Sequence, residues 1–200
     1  MEHYFTEDPK SSFRKERFAV EILENEIIIN SGSGLFSLKE LDFGTEQLIK
    51  NAKIEKEDSK ILDLGCGYGI VGIALKKLNP KLDVTMSDIN DRAVKVAKQN
   101  CDENDTECLV IKSDIFSNSQ LLDKKFDIVL TNPPFSAGKK TCIGFIEQSF
   151  DHLNDGGSLQ LVAPHNKGGE SLKRIMKEKF GNVEELCKKR GYRVYYSVKK

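Results

Sequence analysis

Residues 60–72 read KILDLGCGYGIVG, and this stretch decides the fold. Five mainly apolar residues, 60–64, run directly into a cluster of glycines, and a second apolar segment follows. This pattern is typical of a buried strand, a tight loop and the start of a helix. Glycine at positions 65, 67 and 69 lets the backbone turn sharply and approach a ligand closely. The N-terminus of the following helix offers N–H groups to an anionic group.

Short apolar runs alternate with amphipathic segments after this stretch, which is the rhythm of repeated strand–helix units. The runs are rich in Val, Ile and Leu, as expected for strands buried on both faces of a parallel sheet. The third helix is expected to stop at Asp155-Gly156-Gly157, where glycine permits a left-handed conformation. We predict strands at residues 60–64, 83–87, 108–112, 126–131 and 157–163, and helices near residues 70–78, 90–100, 140–153 and 168–180.

The last stretch has a different pattern. Its pattern predicts two strands, at residues 183–188 and 192–198, joined by the short turn Lys189-Arg190-Gly191 as in an antiparallel hairpin. The predicted fold class is therefore α/β: a Rossmann-like, doubly wound and mostly parallel sheet that ends in an antiparallel hairpin. Class I methyltransferases have this layout, and other doubly wound proteins share it.

The N-terminal part of the chain is too short for a separate domain, and 200 residues suit one domain with a full core. It holds a predicted strand at 26–30, a Ser-Gly-Ser-Gly turn at 31–34 and a helix that starts at about Thr45. We interpret residues 1–59 as a cap segment on the main sheet of the same domain, and residues 60–200 as its core.

The charge balance gives no simple indication of a partner. The 31 basic and 31 acidic residues cancel, so no overall field points to nucleic acid. Residues 160–200, however, carry 11 Lys and Arg against 4 Asp and Glu. This local surplus suits either phosphate binding or an ordinary solvated surface. The sequence does not indicate an oligomeric state.

Cysteine and histidine spacing argues against a metal site. The five cysteines are odd in number and never spaced C-x-x-C, which also argues against a disulfide framework. The three histidines are too dispersed to add ligands. The start of the sequence is polar, and no segment is long and apolar enough to span a bilayer. We expect a cytoplasmic protein with reduced thiols, no metal and no membrane partner.

Acidic residues at the ends of two predicted strands suggest a ligand. Asp63 ends the first strand and could bind an ammonium group, while the glycine loop beside it suits a carboxylate. Asp88, at the end of the second strand, could accept hydrogen bonds from both hydroxyls of a ribose. S-adenosylmethionine needs this combination of sites. The neighbouring Cys66, Tyr68 and Ile89 complete this part of the candidate cofactor site.

A dinucleotide is the competing interpretation. Residues 67–72 match G-x-G-x-x-G, and Asp88 would then bind the ribose of a nicotinamide cofactor. Asp63 favours the methyl donor, because a carboxylate there would sit poorly beside a pyrophosphate. Tyr195 and Lys199 have the spacing of the helical tyrosine–lysine pair of some dehydrogenases. They lie in a predicted strand, however, where four residues span about 13 Å.

Asp114 follows the third predicted strand, where the adenine of the cofactor should lie. Its carboxylate could accept a hydrogen bond from the adenine amino group, and Ile115 could pack on the ring. The alternative is that Asp114 caps a short helix that follows.

The sequence Asn132-Pro133-Pro134-Phe135 follows the fourth predicted strand, at the sheet edge where doubly wound proteins bind ligands. Two consecutive prolines make the turn stiff. If the Asn132 side-chain oxygen and the Pro133 carbonyl each accept one N–H of an amine, the nitrogen lone pair is directed at the donor methyl group. Phe135 could stack on a planar substrate. The alternative is a tight loop after a core strand.

The chain resembles the class I methyltransferases that modify guanine N2 in small-subunit ribosomal RNA, and especially their single-domain archaeal-type relatives. The resemblance covers almost the whole chain. It is carried by HYFTEDP at residues 3–9, GLFS at 34–37, LDFGT at 41–45, DLGCGYG at 63–69, SDIN at 87–90, NPPF at 132–135 with Gly138, and GYRV at 191–194.

The resemblance implies roles for individual residues. Asp63 and the glycines at 65, 67 and 69 would hold the methionine end of S-adenosylmethionine, Asp88 the ribose and Asp114 the adenine edge. Residues 132–135 would hold the target base, with Asn132 close to the cofactor as well. Thr45 would touch the cofactor carboxylate or be structural. Phe36 would form part of a lid or pack in the core.

Two departures from the family pattern bear on the substrate. Larger bacterial members have an additional N-terminal domain that is missing here, so RNA binding is expected from the catalytic domain or a partner. Ser136 stands where many members carry histidine, which leaves the precise nucleotide open. Lys139, Lys140 and Lys167 lie near the predicted substrate edge and suit RNA.

Three other functions stay open. A protein glutamine N-methyltransferase would present an amide of similar geometry, but that family has an NPPY-type motif and an upstream helical domain. A non-catalytic module that binds S-adenosylmethionine is the second, and a methyltransferase for a small-molecule amine is the third.

Overall fold

The structure is a computed structural model that describes residue 7, residues 14–35, residue 37 and residues 39–200. Within these ranges the chain forms nine strands and six α-helices. In chain order they are β1 (Lys15–Ile22), β2 (Asn25–Gly32), α1 (Phe43–Lys50), β3 (Lys60–Leu64), α2 (Ile70–Leu78), β4 (Asp83–Asp88), α3 (Asp91–Glu103), β5 (Leu109–Lys112), α4 (Ser119–Leu122), β6 (Phe126–Thr131), α5 (Lys139–His152), β7 (Leu153–Pro164), α6 (Gly169–Phe180), β8 (Glu184–Lys189) and β9 (Tyr192–Val198).

Seven of these strands form one sheet in the order β5-β4-β3-β6-β7-β9-β8. The strands β3 to β7 are parallel to one another, whereas β9 runs antiparallel to β7 and to β8. The chain order reverses between β3 and β6, and a cleft forms at the carboxyl ends of the strands at such a point. The predicted fold class, a doubly wound sheet that ends in an antiparallel hairpin, is confirmed.

Both faces of the sheet are covered, which explains why its strands are nearly continuous runs of apolar residues. In β3, Ile61 belongs to the core that contains α1, α2 and α3, while its neighbour Leu62 belongs to the core on the opposite face. That second core is closed by α4, α5 and α6. The period of two along each strand therefore fills both cores at once.

The N-terminal region differs from the prediction. β1 was not predicted, and its turn to β2 lies at Leu23-Glu24. The turn expected at 31–34 is present after β2, where residues 33–34 form a turn and the Leu35 N–H donates to the Gly32 carbonyl. The hairpin packs on α2 and α3, while α1 packs on β7. The edge of β2 that faces away from β1 is bonded by side chains instead of another strand. The Ile28 N–H donates to Asn104 Oδ1, and Asn104 Nδ2 donates to the Ile28 carbonyl. That residues 1–59 form a cap segment of the same domain stays a prediction.

The junction between α5 and β7 also differs from the prediction. The helix ends at His152, because Leu153 is buried and adopts an extended backbone (φ −86°, ψ 143°). Gly156 does have a positive φ of 78°, but it lies within β7, where its N–H donates to the Lys199 carbonyl. The end of α6 is as predicted, with a left-handed Gly181. None of the helices in the described ranges is long and apolar enough to cross a membrane.

Candidate active site

A cavity of about 530 Å³ opens at the carboxyl ends of β3 and β6. It is lined by the glycine loop after β3, by the ends of β4 and β5, by the start of α1 and by the loop after β6. Of the residues predicted from the sequence, the structure brings the following to the cavity: Thr45, Asp63, Gly65, Cys66, Gly67, Tyr68, Asp88, Ile89, Asp114, Ile115, Asn132, Pro133, Pro134 and Phe135.

Backbone hydrogen bonds fix the glycine loop against the end of β4. The Gly65 and Cys66 N–H groups both donate to the Ser87 carbonyl, at 2.8 and 2.9 Å. Gly67 has a φ of +56°, and its N–H donates to Asp88 Oδ2 at 2.9 Å. The loop therefore holds the Asp88 carboxylate at the cavity wall.

Gly69 does not line the cavity. It precedes α2 with a left-handed backbone, and a Cβ at this position would lie 3.2 Å from the Ala97 Cβ, behind the loop. Gly72 has a similar packing role, since a Cβ there would lie 2.4 Å from Met86 Sδ. The predicted contact of Gly69 with a cofactor stays a prediction.

Two carboxylates face the cavity, one buried (Asp63) and one partly buried (Asp88). Asp63 is 2% exposed, and its Oδ2 accepts from the Gly72 N–H at 3.1 Å. Burial raises the pKa of Asp63 to about 7, and burial also raises the pKa of Asp88. In the described part of the chain, no Lys, Arg or His forms an ion pair with either group. Such carboxylates suit a ligand that is cationic and rich in hydroxyl donors.

Cys66 and Tyr68 add neutral groups to this wall. Burial raises the pKa of the Cys66 thiol well above its ordinary value, and burial also raises the pKa of Tyr68. The Tyr68 ring packs edge-on against Phe18 of β1, with the ring centroids 6.0 Å apart. Both side chains are therefore uncharged at neutral pH and contribute shape rather than charge.

The loop after β6 forms the opposite wall. Thr131, the last residue of β6, donates from Oγ1 to the Leu64 carbonyl at 2.8 Å and so ties the two sides of the cleft together. The Pro134 carbonyl accepts from the Ala137 N–H at 2.9 Å. Among the described residues none donates to the Pro133 carbonyl, which is thus available as an acceptor.

The Asn132 side chain is oriented by α1. Its Nδ2 donates to Thr45 Oγ1 at 2.9 Å and to Asp42 Oδ2 at 3.2 Å. Asp42 is the residue that caps α1, and it accepts from the Thr45 N–H at 2.8 Å. Both hydrogen bonds are made by Nδ2, so the amide turns Oδ1 away from Asp42 and Thr45, and Oδ1 is the polar atom that it offers to the cavity.

Comparison with known proteins identifies the family. Residues 26–196 match the family model described as methyltransferase small domain. The chain belongs to this family. It is 35% identical to the uncharacterised protein YbxB of Bacillus subtilis, over 99% of this chain and 98% of that protein. It is 37% identical to the ribosomal RNA small subunit methyltransferase C of Haemophilus influenzae, over 88% of this chain and 52% of that protein.

A solved structure supports the fold assignment. The 16S rRNA N2 G1207 methyltransferase of Thermus thermophilus, solved with AdoMet and guanosine, superimposes with a TM-score of 0.81 at 24% identity. The match covers 96% of this chain and 52% of that chain. The chain thus spans about half the length of the methyltransferases C that it matches.

Asp114 and Ile115 lie where this methyltransferase fold turns after β5. Asp114 is exposed, and α4 is capped by Asn118, whose side chain accepts from the Gln120 N–H. The alternative that Asp114 caps the helix is therefore wrong. Ile115 has a φ of +52°, a strained conformation for a β-branched residue, and it lines the cavity beside Asp114.

The cavity is also lined by residues that the sequence did not reveal. Asp42, Tyr192 and Pro164 line the cavity. Asp42 had one local signal, its position as a capping residue three before Thr45, but nothing in the sequence placed it beside Asn132. Tyr192 comes from β9, which is separated in the sheet by β6 and β7 from β3 and the glycine loop that follows it.

Tyr195 and Lys199, whose spacing is that of the dehydrogenase pair, do not line the cavity. Tyr195 is fully buried on β9, where its hydroxyl bonds His165 Nδ1 at 2.8 Å. Lys199 donates to the Leu153 carbonyl, away from the cavity. The two residues therefore do not form the dehydrogenase pair. Phe36 and most of residues 3–9 lie outside the described residues.

Exposed lysines follow two of the segments that line the cavity. Lys139 and Lys140 are exposed at the start of α5, just after the Phe135–Ala137 turn. Lys167 is exposed on the segment after β7, and this segment is tied to the β8–β9 turn by a bond from the His165 N–H to the Gly191 carbonyl. Part of the excess positive charge of residues 160–200 is neutralised, since Glu185 forms ion pairs with Lys173 and Arg193.

Proposed function

We propose that this protein transfers the methyl group of S-adenosylmethionine to the exocyclic N2 of a guanine in small-subunit ribosomal RNA. The observation that carries the proposal is that one cavity joins Asp63 and Asp88, which form no ion pair with any described residue, to the Asn132–Phe135 loop. One wall suits a cationic donor with a ribose, and the other suits an amine.

The donor wall fits S-adenosylmethionine in charge and in hydrogen bonding. Asp63 lies at the end of β3 beside the glycine loop, where its carboxylate would pair with the ammonium of the methionine end. Asp88 would accept from the ribose hydroxyls, and Asp114 with Ile115 would hold the adenine. When bound, the cofactor supplies a methyl group on a sulfonium, which is already an activated leaving group.

The acceptor wall prepares the amine. The exocyclic nitrogen of a base is a weak nucleophile because its lone pair is delocalised into the ring. Hydrogen bonds from its two N–H groups to Asn132 Oδ1 and to the Pro133 carbonyl hold the nitrogen toward a tetrahedral geometry. A cofactor bound on the donor wall would supply the methyl group, the new N–C bond replacing its C–S bond, and the methylated nitrogen would release one proton to solvent. Phe135 stacks on the ring of the base.

Guanine and ribosomal RNA are chosen for two reasons. The resemblance of residues 34–45 and 132–135 to guanine-N2 methyltransferases accompanies 37% identity to a ribosomal RNA small subunit methyltransferase C. Lys139, Lys140 and Lys167 would contact phosphates beside the target base. RNA as the partner and the cytoplasm as the location belong to the same proposal.

The test is methyl transfer from labelled S-adenosylmethionine to total RNA and total protein from a strain that lacks the gene. Nucleoside analysis of the labelled RNA follows, and Asn132→Ala serves as the inactive control. The proposal expects label in N2-methylguanosine of the small-subunit RNA. Label in protein glutamine would support the glutamine methyltransferase instead. Cofactor binding with no label in either fraction would support a non-catalytic module or a small-molecule acceptor.

A further inference from the structure

The Asp42 carboxylate lies at the centre of a small hydrogen-bond network beside the proposed acceptor. A single oxygen, Oδ2, accepts from the Thr45 N–H at 2.8 Å, from Thr45 Oγ1 at 3.2 Å and from Asn132 Nδ2 at 3.2 Å. Thr45 Oγ1 in turn accepts from Asn132 Nδ2 at 2.9 Å. Thr45 is 6% exposed, and both Asp42 and Asn132 line the cavity.

The donor and acceptor properties of these groups determine which atom donates in each hydrogen bond of the network. An ionised carboxylate has no proton to donate, so whichever atom of the Asn132 amide faces Asp42 must be a donor. The Thr45 hydroxyl gives its proton to the same carboxylate and therefore meets Asn132 as an acceptor. A flipped amide would place Oδ1 against the Asp42 carboxylate, which is a repulsive contact, and the Thr45 hydroxyl would have to give up its bond to Asp42 in order to donate to Oδ1.

We infer that Asp42 is a positioning residue for methyl transfer: through Thr45 and directly, it locks the Asn132 amide with Oδ1 toward the cavity. This inference rests on the proposed function, in which Asn132 Oδ1 accepts an N–H of the target amine. Without the lock the amide can turn over, and Nδ2 would then present a donor to the donor groups of the amine.

The capping of α1 by Asp42 has to be separated from this role. Loss of the cap alone destabilises a helix, and that effect would lower activity without any orientation of Asn132. Asp42→Ser keeps a capping oxygen and removes the carboxylate. Asp42→Asn keeps the shape but lets either amide orientation form hydrogen bonds. Glu40→Ala is the matched control, because Glu40 is an exposed carboxylate two residues away.

The first measurement reads the Asn132 amide itself and needs no RNA. In ¹⁵N-labelled protein the side-chain NH₂ pair of Asn132 is assigned by its absence from Asn132→Ala. The inference expects two well-separated proton shifts and slow exchange with water in the wild type and in Glu40→Ala. It expects both features to be lost in Asp42→Ser, and the spectrum of Asp42→Asn to lie between the two. An unchanged Asn132 pair in Asp42→Ser overturns the inference.

The second measurement is turnover with total RNA from the strain that lacks the gene. Asp42→Ser is expected to lower kcat about ten- to a hundredfold, as for a misoriented catalytic group. The dissociation constant for S-adenosylmethionine and the melting temperature stay close to those of the wild type. A normal kcat in Asp42→Ser overturns the inference. If the wild type transfers no methyl group to RNA, the proposed function fails, and the amide spectra still decide whether Asp42 orients Asn132.

Discussion

The two walls of the cavity are built in different ways. The donor wall is held by backbone groups that are close in sequence: Asp63 bonds the N–H of Gly72, nine residues later, and Asp88 bonds the N–H of Gly67, 21 residues earlier. The acceptor wall is held by side chains far apart in sequence. Asn132 bonds Thr45 and Asp42 across separations of 87 and 90 residues.

Because of this difference, we expect that mutations can affect cofactor binding and methyl transfer separately. A side chain on the donor wall can be changed while the backbone loop persists, so that cofactor affinity falls without any change in the acceptor. A side chain on the acceptor wall can be changed while the donor carboxylates stay in place.

The largest effect is expected from Asn132→Ala. Removal of the amide oxygen takes away an acceptor that acts on the amine in the transition state, so kcat should fall about a hundred- to a thousandfold. The dissociation constant for S-adenosylmethionine, measured by calorimetry, should change little. A variant with weak cofactor binding and normal turnover at saturation would place Asn132 on the donor wall instead.

Asp88→Ala should act on the opposite wall. The loss of charge-assisted hydrogen bonds to the ribose should raise the dissociation constant for S-adenosylmethionine about ten- to a hundredfold. The rate at saturating cofactor should stay within a few-fold of the wild-type rate. An unaltered affinity would contradict the role of Asp88.

The pH dependence of cofactor binding should report on Asp63. Because burial raises its pKa to about 7, the free protein is partly protonated at neutral pH. A cationic ligand requires the ionised form, so affinity should fall as the pH decreases below about 7, and binding near neutral pH should release protons. Asp63→Asn should bind weakly and with a smaller pH dependence than the wild type, since the pKa of Asp88 is also raised by burial. Calorimetry from pH 5.5 to 8.5 in two buffers of different ionisation enthalpy checks both outcomes.

The smallest effect is expected from the rim. Replacement of Lys139 and Lys140 by Ala should weaken RNA binding modestly and reduce the slope of log K against log salt by about 1.4, as for two phosphate contacts on a single strand. Lys95→Ala with Lys98→Ala is a matched control, since both residues are exposed on α3 and neither lines the cavity. An unchanged slope would place Lys139 and Lys140 in solvent.

The fold was largely predictable because its strands are buried on both faces and therefore carry continuous apolar signals. β1 was missed because it is only partly buried, and because its sequence KERFAVEI lacks the strict alternation of charged and apolar residues that would have predicted a strand. The end of α5 was misplaced because burial of Leu153 overrides the glycine signal at Gly156. Local patterns do not contain such tertiary effects.

The site was predictable to the extent that it is local in sequence. The glycine loop, Asp63 and Asp88 form one strand–loop–helix–strand unit. The turn at residues 132–135 can be recognised in the sequence by its two prolines. The contact between Asp42 and Asn132 joins α1 to the end of β6, and no sequence spacing contains it. Tyr192 reaches the cavity for the same reason, through the strand order of the sheet.

The most direct test of the two-wall account is a crystal structure of the protein with S-adenosylhomocysteine and guanosine. The account predicts ribose hydroxyls within hydrogen-bond distance of Asp88, and the guanosine N2 within hydrogen-bond distance of Asn132 Oδ1 and the Pro133 carbonyl. Guanosine bound with N2 directed away from Asn132, or a cofactor seated away from Asp63 and Asp88, would contradict it.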